Sequence, residues 1–518
     1  MSEYTPTIGL EIHAELKTRT KMFCNSKNDP DETRANVNIC PVCLAHPGAL
    51  PVVNREAVRH VLRVGVALGG TLAGYTEFDR KNYFYPDLPK GYQISQYEFP
   101  LVSKGALSGV EITRIHLEED TASSIHEEGI GTSIDYNRAG VPLMELVTEP
   151  VIHSAEKAGS FARELQILLR YLGASDANME KGEMRVEANV SVAKATDTAD
   201  TRRTNAEGRG KSSILRNSAS SLRQSAVPLG TKVEIKNLNS FRAMERAVEF
   251  EIKRQTALLE RGEFVVQETR GWDEKKQATF PQRIKEGSAD YRYFPDPDIP
   301  SFRLSEVSEF SLEALLKDMP ELPWQRRERY LGLGIKGDDA DLFVREPSLG
   351  AFFDDVTKDM DIERVKLTAN YIANDLVSLI SSGPASPKAT QGKRDTDKRE
   401  TEISYEIPIS AQNFRKIIEL IASVKISSRS AKDLISFSMT DKRDPEEIAK
   451  ENNLFQESNI EHIQQVIDDI VAKNASVAAD YKAGKLAALE YLVGQGMKAL
   501  RGSGNPQMLR DLIKKKLG

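Results

Sequence analysis

The feature that most constrains this chain is a change of period close to residue 300. Before it, apolar residues alternate with polar ones; after it, they recur at helical spacing. A side-chain period of two requires a strand with one buried face, and a period of 3.6 requires a helix. Separate blocks of each predict an α+β protein: short strands with a few helices first, then helices alone.

Three strands are readable in the first block. IGLEIHAEL places Ile8, Leu10, Ile12 and Ala14 on one face and Glu11, His13 and Glu15 on the other. RVEANVSV buries Val186, Ala188, Val190 and Val192 and turns Arg185, Glu187, Asn189 and Ser191 outward, while KVEIKNL sets Val233 and Ile235 opposite Glu234 and Lys236. Three strands therefore offer acids on their polar faces. Two helices are framed by an N-cap serine and a terminal glycine: one runs from Ser154 to Gly173, the other from Ser240 to Gly262.

At 518 residues the chain exceeds one core and is expected to form roughly two to four domains. No apolar run approaches a membrane span, the N-terminus reads as no signal, and three cysteines make no disulfide framework, so the expected location is the cytoplasm. A net charge of −6 excludes wholesale coating of nucleic acid but leaves room for a local basic patch at Lys498, Arg501, Arg510, Lys514, Lys515 and Lys516. Two polar segments, 194–226 and 381–403, have no face to bury and read as an inserted loop and a linker.

Literal motifs mislead here. Gly332-Leu333-Gly334-Ile335-Lys336-Gly337 matches a dinucleotide fingerprint but follows a helical stretch, and Gly210-Lys211-Ser212 lacks the first glycine of a phosphate loop. No nucleophilic triad is visible. Cys24, Cys40 and Cys43 supply three thiols, one short of a zinc tetrahedron, with His46 a fourth ligand by spacing. Acids are the richer signal: Glu11 and His13 share a strand face, IHLEED carries His116, Glu118, Glu119 and Asp120, and VPLMELVTEP carries Glu145 and Glu149. Hard oxygen donors with an imidazole suit Mg²⁺, as an ATP-using enzyme without a phosphate loop requires. FDRKNYFYPDLPKGYQISQ, from Phe78 to Gln96, is rich in rings and cations and reads as a structured loop.

GLEIHAELKT, CPVCLAHPGALPVVN, FDRKNYFYPDLPKGYQISQ, IHLEEDTA, ELVTEP, KNLNSF, QETRGWDE and DYRYFPDPDIP occur in this order, and ISSRSAK, YKAGK and LVGQGMKALRGSGNP follow in the tail. Together they resemble the B subunit of the bacterial and organellar Asp/Glu-tRNA amidotransferase. The resemblance implies a cradle of mixed sheet and helices over 1–296, a helical domain over 297–405 and a helical, tRNA-binding tail over 406–518. The tail is similar to a small stand-alone family of tRNA-associated helical domains.

The implied activity is that of a glutamine-dependent carbon–nitrogen ligase with three subunits. The B subunit would bind Glu-tRNA(Gln), Asp-tRNA(Asn) or both and activate the side-chain carboxylate with ATP and Mg²⁺ to an acyl phosphate. An amidase A subunit would supply ammonia, and a small C subunit would brace the assembly. Carried onto this sequence, the resemblance implies Glu11, His13, Glu119 and Glu145 as metal ligands or their supports, with Glu187 and Glu234 nearby. Strand parity instead puts Glu118 beside His116, so both acids stand as candidates. Arg80, Lys81, Tyr83 and Tyr85 are expected to wall the nucleotide pocket, with Asp79 pairing to Arg80 or Lys81. Lys498, Arg501, Arg510, Lys514 and Lys515 are the expected tRNA contacts. Relatives that carry zinc have a second cysteine where this chain has Ser26, which weakens the zinc reading. Two other readings are a scaffold without the activation step and the archaeal relative, whose additional domain has no counterpart here.

Overall fold

The computed structural model describes residues 3–127, 131–194, 229–284, 291–382, 407–456, 460–500 and 504–518. The inserted loop beyond residue 194, the linker beyond 382 and Arg501 lie outside them. The chain divides into two compact units, Met1–Pro323 and Trp324–Gly518. The fold is α+β: the first unit is built on a large sheet and the second is helical.

Seven strands form the body of that sheet: β1 (Tyr4–Glu15), β2 (Val110–Glu119), β3 (Pro142–Thr148), β4 (Met184–Lys194), β5 (Val233–Leu238), β6 (Glu268–Asp273) and β7 (Ala278–Ile284). Their spatial order is β7-β6-β5-β4-β1-β3-β2, continued by the short strands Val102–Ser103 and Thr71–Leu72. Only β5 and β6 pair in parallel; the other neighbours are antiparallel. β1 lies at the centre, where Ile12 pairs with Leu146 of β3 and with Val186 of β4.

The period-two pattern separates the faces as expected. Ile8, Leu10, Ile12, Ala14, Ile115, Leu117, Met144, Leu146, Val186, Ala188, Val190, Val233 and Ile235 are all buried on one side. The helix Arg55–Ala67 lies against β2, and two capped helices cover the rest. α1 (Ala155–Tyr171) starts where Ser154 Oγ accepts from the Lys157 amide, and α2 (Phe241–Glu260) where Ser240 Oγ accepts from that of Ala243. α2 packs on β4 and against α1, with Met244, Ala247 and Val248 turned inward. Gly173 and Gly262, at φ +62° and +73°, end the two helices in the left-handed conformation.

FDRKNYFYPDLPKGYQISQ departs from the loop reading. Asp79–Asn82 and Tyr92–Ser95 pair as an antiparallel hairpin, and Phe294–Pro295 joins its edge. Four-residue strands rich in charge carry too little alternation to be recognised from sequence. In the second unit, Tyr330, Phe343 and Phe353 form a buried ring cluster, and the last helices close on Ile463, Ile467, Leu492, Leu509 and Ile513.

Candidate active site

The polar face of the sheet carries the chemistry, and its register dictates which groups meet. One row crosses three strands as His116 of β2, Glu145 of β3 and His13 of β1. The next sets Glu11 of β1 opposite Glu187 of β4, and Asn189 of β4 faces Glu234 of β5. Directly opposed residues on antiparallel strands have Cβ atoms about 4.5–5.5 Å apart, so these acids converge without any loop to gather them.

Three overlapping groups result: Glu11, His13 and Glu145; His116, Glu118 and Glu145; and Glu11, Glu187 and Glu234. Within each, one ligand atom per residue lies within 4.8 Å of the others. His13 Nε2 stands 3.4 Å from Glu145 Oε2 and 3.5 Å from Glu118 Oε1, and His116 Nε2 is 3.4 Å from the same Glu145 oxygen. Ser95 Oγ donates to Glu118 Oε2 at 3.1 Å, and Thr269 Oγ1 to Glu234 Oε2 at 2.7 Å. Such bonds fix the carboxylates in place before any ligand arrives.

Crowding acids in a largely buried site perturbs their protonation. Burial, then the charges of Glu145 and Glu187, push Glu11 up to about 7. Burial opposes a charged His13, but hydrogen bonding to Glu145 and the charges of Glu145 and Glu118 prevail and raise it to about 9. Glu145 is driven well below the usual carboxylate range: burial resists ionisation, and His116 and His13 overcome it. Perturbed groups of this kind cluster where chemistry is done.

Two cations border the imidazole-bearing groups. Lys81 Nζ lies 3.9 Å from Glu118 Oε2 and 5.3 Å from the centre of the Tyr291 ring, and Arg114 Nη2 lies 3.6 Å from Glu145 Oε1. Rings flank them: Tyr83 meets Tyr85 and Tyr291, and Tyr97 stacks on Tyr293 with centroids 4.5 Å apart.

Other expected site residues lie elsewhere. Glu119 turns to the far face of β2, where Lys90 Nζ donates to its Oε2 at 2.7 Å and the Ile94 amide to its Oε1 at 2.9 Å; it belongs to none of the three groups. Arg80 points away from Lys81, paired with Asp296 at 2.8 Å and Asp298 at 2.9 Å. Asp79 does not pair with either cation; it accepts from the Tyr97 amide at 2.8 Å. Tyr85 is exposed, and the Tyr83 hydroxyl donates to Gln93 Oε1 at 3.0 Å.

Cys24, Cys40 and Cys43 do come together, with Ser26 Oγ 3.8 Å from Cys43 Sγ. Lys21, fully buried, brings its Nζ to 3.8 Å from the same sulfur and donates to the Tyr136 carbonyl at 3.1 Å. His46 is outside the thiol group and lines the adjacent cavity of about 250 Å³, with Arg80, Lys90 and Glu119.

Residues 6–308 match the family model described as the GatB/GatE catalytic domain, and residues 352–517 match the one described as the GatB domain. The B subunit of the aspartyl/glutamyl-tRNA(Asn/Gln) amidotransferase of Thermus thermophilus is 40% identical over 99% of both chains. Those of Carboxydothermus hydrogenoformans and Gloeothece citriformis are 38% and 36% identical, covering 100% of this chain and 99% and 98% of theirs. The chain belongs to the amidotransferase B-subunit family. A B subunit is by name one part of a multi-subunit amidotransferase, and among the described residues no helix is long and apolar enough to cross a membrane.

In this amidotransferase chain, sequence reasoning gave too little weight to His116, Arg114 and Lys236. The signal for the first two was present: Arg114, His116 and Glu118 alternate along β2, so all three had to share a face.

Proposed function

We propose that this chain activates the side-chain carboxylate of Glu-tRNA(Gln), Asp-tRNA(Asn) or both by phosphoryl transfer from ATP. The observation that supports this best is the convergence of Glu11, His13, His116, Glu118 and Glu145 on one polar sheet face, bordered by Lys81 and Arg114. A carboxylate resists attack by ammonia because oxide is a poor leaving group. Transfer of the γ-phosphoryl group to that oxygen gives an acyl phosphate; ammonia then forms the amide and phosphate departs. Such a reaction needs positioning and charge neutralisation rather than a protein nucleophile.

The donor set fits a hard divalent cation. Carboxylate oxygens and imidazoles converge, and His116 Nδ1 is buried with no hydrogen-bond partner among the described atoms. His13, Glu118 and Glu145, with Glu11 and His116 beside them, would hold Mg²⁺. Bound there, it would neutralise charge on the phosphoryl oxygens. Lys81 and Arg114 would orient the anionic substrate groups, and the tyrosines beside Lys81 would flank them. The Cys24, Cys40 and Cys43 group takes no part: with Ser26 in the fourth place and Lys21 against Cys43, it suits a packed, metal-free knuckle.

Ammonia would come from a glutamine-hydrolysing A subunit, with a small C subunit completing the assembly. The helical tail would hold the tRNA: Lys498, Lys514 and Lys515 are exposed there, whereas Arg510 is paired to Glu490 at 2.9 Å. The test is Glu145→Ala in the assembled enzyme with ATP, glutamine and misacylated tRNA. Amide formation should fall by at least about 100-fold with tRNA binding unchanged; undiminished amide formation would remove the site from the reaction.

A further inference from the structure

Of the three groups, two contain imidazole and share Glu145, forming one imidazole-bearing set; the third, Glu11, Glu187 and Glu234, is made of carboxylates alone and shares Glu11 with that set. Glu11 and Glu187 stand directly opposite each other on β1 and β4, an arrangement of like charges that costs stability unless a cation relieves it.

The chain supplies that cation. Between the pairs Ala188–Ile235 and Val186–Leu238 the register of β4 and β5 slips by one residue, so Lys236 and Asn237 together oppose Glu187. Asn237 takes φ +62°, a left-handed conformation that asparagine tolerates better than most residues. A bulge of this kind re-aims a side chain. Here it brings Lys236 Nζ to 3.0 and 2.9 Å from the two Glu187 oxygens and 3.9 Å from Glu234 Oε1.

Sites that transfer phosphoryl groups with two metal ions hold them about 3.5–4 Å apart, commonly through shared ligands. The shared carboxylate is present here, but one of the two cation places is filled from within the chain. We propose that Lys236 is the second cation of this site, closing the all-carboxylate group to a metal ion and leaving the imidazole-bearing group as the divalent site. The inference rests on the phosphoryl-transfer reading above. It makes Lys236 a positioning residue: its charge holds Glu187 and Glu234 together and sets the number of ions the sheet face takes up.

The experiment counts Mn²⁺ bound per assembled amidotransferase by equilibrium dialysis, for the wild type, Lys236→Met and Lys236→Arg. Removing the ammonium takes its charge away from Glu187 and Glu234, so Lys236→Met should bind one ion more than the wild type, and Lys236→Arg should keep the wild-type count. Equal counts for Lys236→Met and wild type overturn the inference. If Lys236→Met does not fold, Lys236→Gln is counted in its place, with the same outcomes decisive. A wild type that binds no Mn²⁺ at this chain, beside a variant that gains one, sinks the metal reading of the imidazole group and leaves the Lys236 inference standing.

Discussion

Glu118 and Glu119 are neighbours in sequence and serve opposite faces of β2. Glu118 meets His13 and Ser95 on the acidic face; Glu119 meets Lys90 and the Ile94 amide on the other. Glu118→Gln should therefore weaken Mn²⁺ binding about 10-fold or more, while Glu119→Gln changes it less than about twofold. Titration of Mn²⁺ into each variant decides, and equal losses would show that both acids reach the ion. His13 makes a pH prediction. Its folded-state value of about 9 lies above the ordinary 6.5, so its contribution to stability is complete below pH 6.5 and lost as pH rises through 9. Glu11, raised to about 7, acts in the same direction at lower pH, and the depressed Glu145 acts oppositely, contributing above about 4.5. In chelator-treated protein the unfolding midpoint should fall between pH 7 and 9.5, by the equivalent of roughly 1–3 kcal/mol. His13→Asn should flatten that fall, and an identical slope in the variant would contradict the assignment. Which acids share a face was legible in the sequence because a strand's parity is rigid. Lys236 was legible as a polar-face residue, but its aim was not, since a bulge breaks parity without a reliable sequence mark.

At the scale of elements, the site depends on register. β1 is held on both sides by strands whose buried residues interlock beneath the acids, with Ile12 between Leu146 and Val186. Leu146 is fully buried, so Leu146→Ala should destabilise the sheet unit by about 2–5 kcal/mol through lost transfer energy and a residual cavity. Activity per folded molecule should be largely kept, because the register survives on backbone bonds. A denaturant series followed by intrinsic fluorescence, together with an activity assay on the folded fraction, checks both parts. The long strands and both capped helices announced themselves by period and by serine and glycine punctuation. The hairpin of Asp79–Asn82 and Tyr92–Ser95 did not. Its short strands hide in a stretch of rings, and only the fold reveals that Lys81 faces Glu118 while Arg80 turns toward Asp296.

Across the whole molecule, the division of labour follows the change of period near residue 300. The sheet unit gathers the acids, and the helical unit carries exposed lysines on its last helices. Family membership was legible from motifs spread over both units, while the proximity of His116, Lys81 and Arg114 to Glu145 needed the folded sheet. The central claim is that this sheet face activates a carboxylate with ATP, a step separable from the supply of ammonia. The most direct measurement is amide formation from Glu-tRNA(Gln) by the assembled enzyme with ATP and an ammonium salt in place of glutamine. The wild type should form amide and ADP together, and Glu145→Ala should form neither, since free ammonia cannot replace the activation step. Amide formed by Glu145→Ala at the wild-type rate under these conditions would contradict the account.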